Sequence, residues 1–96
     1  MTIEAPRTLG EVWEYGYEIE AFNEGSRGTA NVVVRANTEG LVSLAKLLLF
    51  VAKEEHKEGY HVHLDGHSGL EPSSNIGLIF QKGLLPRLPT SRHLDA

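Results

Sequence analysis

Residues 13–22 alternate: Trp13, Tyr15, Tyr17, Ile19 and Ala21 fall on one side, and Glu14, Gly16, Glu18, Glu20 and Phe22 on the other. A period of two places one set in a core and the other outside it, so this stretch predicts a half-buried strand. Residues 23–28, Asn-Glu-Gly-Ser-Arg-Gly, are turn formers. Residues 29–36 alternate again, with Ala30, Val32, Val34 and Ala36 on one face. The two runs together predict an antiparallel hairpin whose outer face carries Glu14, Glu18 and Glu20 beside Asn31, Val33 and Arg35.

The period then changes to that of a helix. Asn37 or Thr38 can accept hydrogen bonds from the free amides of a first helical turn, and Glu39 suits its positive end. A helix is predicted over residues 41–58, closed by Gly59, with Lys53 and Lys57 near its negative end. At 100° per residue, Leu41, Leu44, Ala45, Leu48, Val51 and Ala52 form the stripe expected to face the sheet. Phe50 falls opposite that stripe with Leu47 at its margin, which makes these two the candidate dimer or partner contact.

Residues 60–65 alternate once more, Tyr60, Val62 and Leu64 against His61, His63 and Asp65, and predict a short strand. A Gly-, Pro- and Ser-containing loop over residues 66–75 leads to a last strand over 76–81. The order is ββαββ: an α+β fold with one four-stranded, mainly antiparallel sheet and a single helix on one face. Placing the third strand beside the first keeps the sheet antiparallel and brings Glu18 and Glu20 next to His61 and His63 on the helix-free face. Residues 1–83 form the expected single domain, and 84–96, with Pro86 and Pro89 and no periodicity, a loose tail.

Composition narrows what such a fold can do. Ninety-six residues leave room for one modest core and exclude barrel and dinucleotide-fold enzymes. The chain has no cysteine, so thiolate nucleophiles, disulfides and Cys-based metal sites are absent. A net charge of −4 argues against a nucleic-acid partner. Residues 1–24 hold six acids against Arg7 alone, net −5, so the surplus acid is concentrated there. Residues 47–52, the longest apolar run, are far shorter than the roughly 20 that cross a bilayer. Residues 1–10 lack an apolar signal core, and the expectation is a cytoplasmic protein with no membrane partner.

Two constellations could carry chemistry. His61, His63 and Asp65, with His67 beyond Gly66, offer zinc-type ligands. Their spacing departs from the His-x-His-x-Asp-His pattern of metallo-β-lactamase-like hydrolases, and the chain is too short for that fold. A small metal site would need Glu18 or Glu20 in addition; otherwise the histidines form a polar strand face. Ser68, Ser73 and Ser74 lie near His67 in a turn, where serine hydroxyls serve local hydrogen bonds rather than catalysis. No catalytic residue, cofactor or resident metal is expected.

The segment 39–48 (Glu-Gly-Leu-Val-Ser-Leu-Ala-Lys-Leu-Leu), then Gly59-Tyr60-His61-Val62-His63-Leu64-Asp65, then Gly69-Leu70-Glu71, resembles the bacterial immunity protein 32 family of polymorphic toxin systems over residues 38–80. The resemblance implies a small α+β protein that binds and neutralises a cognate protein toxin without catalysis. An acidic sheet face suits the basic grooves of nuclease toxins. Under this reading Glu14, Glu18, Glu20 and Asp65 supply charge, with His61 and His63 as polar neighbours. The competing classes are a metal-binding protein or enzyme built on His61, His63 and Asp65, and a homodimeric domain joined through Phe50.

Overall fold

In the computed structural model, which describes residues 3–26 and 29–85, a single 3-10 turn at Leu9–Glu11 precedes β1 (Ile19–Ser26) and β2 (Thr29–Ala36). Helix α1 (Thr38–Val51), β3 (His61–Leu64) and β4 (Leu78–Gln81) follow. The order ββαββ is the one the alternation predicts. The sheet is different: β1 pairs only with β2 and β3 only with β4, giving two separate two-stranded antiparallel sheets rather than one of four. β3 therefore does not lie beside β1. Its place on the outer edge of β1 is taken by the loop before β4, where Glu71 N donates to Ile19 O (2.7 Å) and Asn75 N to Ala21 O (3.2 Å). Side chains complete the substitution, with Ala21 N donating to Ser74 Oγ and Asn23 N to Asn75 Oδ1, each at 3.0 Å. A loop can close a sheet edge in this way because an amide needs an acceptor, not a strand.

The first strand starts later than the alternation suggests. The chain turns at Tyr15-Gly16, and Tyr15, on the expected core side, is fully exposed. Ile19 and Ala21 are buried, as their parity requires. The ladder continues through Asn23–Gly25, residues that read as turn formers, and runs without a bulge from Ile19↔Ala36 to Ser26↔Thr29. The connection, Arg27 and Gly28, lies outside the described residues, as does the expected tail from residue 86 onward.

Helix α1 begins where its capping chemistry predicts: Asn37 Oδ1 accepts from Gly40 N at 2.7 Å. It ends at Val51, well short of residue 58. Lys53 does not complement its negative end but reaches Pro6 O (3.0 Å); Lys82, from just beyond β4, donates to Ala52 O (3.3 Å) and Lys53 O (2.6 Å) instead. The buried face is Gly40, Ser43, Leu47, Phe50 and Val51. This rotates the expected stripe: Val51 is buried and Leu44 packs against the core as predicted, but Leu41 and Leu48 are more than half exposed while Leu47 and Phe50 sit in the core.

Small residues decide that rotation. A Cβ on Gly40 would collide with the Glu18 carbonyl oxygen and come within 3.0 Å of Ala36 Cβ, so only glycine lets the helix start lie this close to the hairpin. Ser43 can be buried because its Oγ donates to Glu39 O and accepts from Glu14 N, both at 2.8 Å. With this face inward, Leu47, Phe50 and Val51 meet Val12, Ile19, Ala21, Val62, Leu64 and Leu70 in one core. The burial of Leu47 and Phe50 removes them as a surface contact. Phe50 is packed against His56 and Tyr60, whose rings stack at 3.9 Å.

Candidate functional site

Glu18 precedes β1 and Glu20 lies within it, two residues apart on the side away from the core, and the register sets Glu20 opposite Arg35. One Glu20 oxygen meets the Arg35 guanidinium at 3.4 Å, and the other accepts from Ser73 Oγ at 2.5 Å. Arg35 also lies over the Phe22 ring, 5.1 Å from its centroid. Glu18 is held by Asn37, whose Nδ2 donates to Glu18 Oε1 (3.2 Å) and to Gly16 O (3.0 Å), while Glu18 N donates to Asn37 Oδ1 (3.0 Å). One asparagine thus caps the helix and fixes the strand entry. Glu71 joins these two carboxylates in a shallow cleft bordered by Arg35 and Asn37. Three carboxylates against one guanidinium leave the cleft acidic, and Glu71 makes no side-chain hydrogen bond or ion pair among the described residues.

The other residues singled out from sequence are distributed elsewhere. Glu14 pairs with Lys46 at 3.0 Å in a second open cleft that Glu4 and Glu11 also line. His61 and His63 stand on the exposed face of the second sheet, opposite Gln81 and Ile79. The expected juxtaposition of these histidines with Glu18 and Glu20 across neighbouring strands is absent, because the Glu71–Asn75 stretch occupies that edge. Among the described residues, no group of three or more His, Asp or Glu is close enough to hold a metal ion.

Asp65 serves the turn rather than a free face. Its Oδ1 accepts from His67 N (2.8 Å), and its backbone bonds to Ser68 and Leu70. Gly69, at φ +93°, follows in a conformation that L side chains rarely adopt, and a Cβ there would press on Leu64 Cδ2 at 2.8 Å. Leu70 then enters the core and Glu71 reaches β1. The His-x-His-Leu-Asp and Gly-Leu-Glu segments are therefore two ends of one turn that carries Glu71 to the cleft. Alternation places Arg35 beside Glu18 and Glu20, and the register sets it opposite Glu20; it does not single out Glu71, for which the Gly-Leu-Glu segment is the signal that could have found it.

The family model for immunity protein 32 matches residues 31–83, which is more than half of the chain. The chain belongs to the immunity protein 32 family. The match takes in β2 from Asn31 on, the helix, the β3 turn and β4, and thus Arg35 and Glu71 of the cleft; Glu18 and Glu20 precede it. No curated protein and no solved structure matches the chain. No helix among the described residues is long and apolar enough to cross a membrane.

Proposed function

We propose that this member of the immunity protein 32 family acts as a non-catalytic binder that neutralises a cognate protein toxin in the cytoplasm, using the cleft of Glu18, Glu20 and Glu71 against a basic surface of the toxin. Family membership carries the toxin reading. The cleft carries the choice of surface, since three carboxylates are anchored there on backbone that is itself hydrogen-bonded from two directions. Carboxylates presented on fixed backbone lose little freedom on binding and steer a cationic partner at long range. A basic substrate groove is such a partner. Occupying it inhibits the toxin with no chemical step.

The test is co-expression with the toxin domain encoded in the adjacent reading frame, followed by binding of the purified pair at two salt concentrations. Wild type should protect growth and bind less tightly as salt rises. The variant Glu18→Gln/Glu20→Gln/Glu71→Gln should bind at least about tenfold more weakly through slower association. Undiminished binding by that variant would show that the toxin meets another surface. Failure of the wild type to protect against or bind the neighbouring toxin would remove the function itself.

A further inference from the structure

We infer that the outer edge of β2 pairs with the same edge of a second copy of this chain, joining two hairpins into a continuous four-stranded antiparallel sheet. The inference is independent of the toxin reading. The hairpin is asymmetric: the outer edge of β1 is closed by the loop, whereas among the described residues no strand or loop lies along the outer edge of β2. In an antiparallel ladder, residues point their backbone groups alternately at the partner strand and away from it. Ile19, Ala21 and Asn23 point away from β2, because their groups meet Glu71, Ser74 and Asn75. Their register partners Ala36, Val34 and Val32, and Ala30 by the same parity, must point away from β1. Among the described residues, nothing meets these amides and carbonyls.

The usual devices that keep such an edge solitary are missing. β2 contains no proline and no bulge, and its one charged residue, Arg35, is drawn toward Glu20 on its own hairpin. The same open residues carry Val32 and Val34 side chains that are 61% and 39% exposed. A monomer leaves both the edge and this apolar row in water.

The pattern of the strand selects a second copy as occupant. A two-fold axis through Val33 sets Ala30 opposite the partner's Ala36 and Val32 opposite the partner's Val34, so all four outward residues pair. Other antiparallel registers of the same parity pair fewer of them. In this register Arg35 faces the partner's Asn31, and no like charges meet. Such an interface is isologous and closed, so it stops at two copies.

The full chain is tested by sedimentation equilibrium and native mass spectrometry at about 100 µM, where micromolar association leaves little monomer. Wild type should run at twice its 10.6 kDa mass. Val32→Lys/Val34→Lys sets ammonium groups against each other across the axis and should weaken dimerisation at least about tenfold. Val32→Lys/Val34→Glu places opposite charges across the axis twice, and should restore the dimer. Circular dichroism of each variant reports folding, and the exposed positions tolerate the changes. A monomeric wild type overturns the proposal, as does a folded Lys/Lys variant with undiminished association. A Lys/Glu variant that stays monomeric overturns the register.

Discussion

The two antiparallel units of this small protein divide its labour unequally. The hairpin β1–β2 is long and regular, paired over eight residues per strand, yet only Ile19 and Ala21 of its described side chains are buried. The β3–β4 unit has strands of four residues separated by an irregular loop, and it buries Val62, Leu64 and Leu70 with Ile76, Leu78 and Phe80 packed around them. Regular hydrogen bonding and burial therefore do not coincide. The loop contributes core through Leu70, closes the edge of β1 and presents Glu71 to the acidic cleft. The hairpin contributes its base to the core and projects the rest, which is what makes its far edge available.

The severest challenge to this contrast is Leu64→Ala. Leu64 is 2% exposed, in a strand whose neighbouring turn brings Gly69 against it, and the chain cannot collapse into the space without losing that turn. The expected loss is about 3 kcal/mol, within the usual span for buried leucines, read from urea denaturation. For a domain of this size that is a large share of the total stability. A loss below about 1 kcal/mol would mean that the β3 turn is peripheral and that the division of labour is misplaced.

A smaller effect sharpens the role of the loop. Ser74→Ala removes the acceptor of Ala21 N while leaving the adjoining Asn75 N to Ala21 O bond in place. Ala21 is fully buried, so its amide would be left without a partner, at a cost of about 1–2 kcal/mol. Amide exchange locates the change. Ala21 should lose protection in the variant while Phe22, bonded across the β1–β2 ladder, keeps it. Equal loss at both would show that the loop holds the whole hairpin rather than its edge.

How much of this was legible in the sequence follows the same division. β2 and the start of α1 were readable because their signals are local: an alternation bounded by turn formers, and an asparagine three residues before the amide it accepts from. The family resemblance was readable from the β3 turn. The face of α1 was not, because five leucines between Leu41 and Leu49 spread around much of the helix. Its rotation is set by the close fit of Gly40 and the two bonds of Ser43, neither of which a hydrophobic count can weigh. The separate sheets were likewise hidden, since the edge of β1 is filled by amides and side chains from a loop more than 50 positions away. Of the acidic cleft, Glu18 and Glu20 were legible by parity. Arg35 was legible as their cross-strand neighbour, whereas Glu71 was not, because its membership depends on that long-range docking.

The smallest expected effect is also the most discriminating for the projecting hairpin. Val32 is 61% exposed on a strand that, among the described residues, has no neighbour beyond β1, so truncating it removes little buried area. In dilute solution, where chains are separate, Val32→Ala should cost no more than about 0.5 kcal/mol, mostly from lower strand propensity. The cost should grow with protein concentration, because association buries Val32 against the partner's Val34 and couples stability to dimerisation by mass action. Urea transitions of wild type and variant across a wide concentration range separate these contributions. A dilute-solution loss as large as that of Leu64→Ala would place the far end of the hairpin in the core and erase the contrast. A small loss that never changes with concentration would keep the contrast but leave the open edge unpaired.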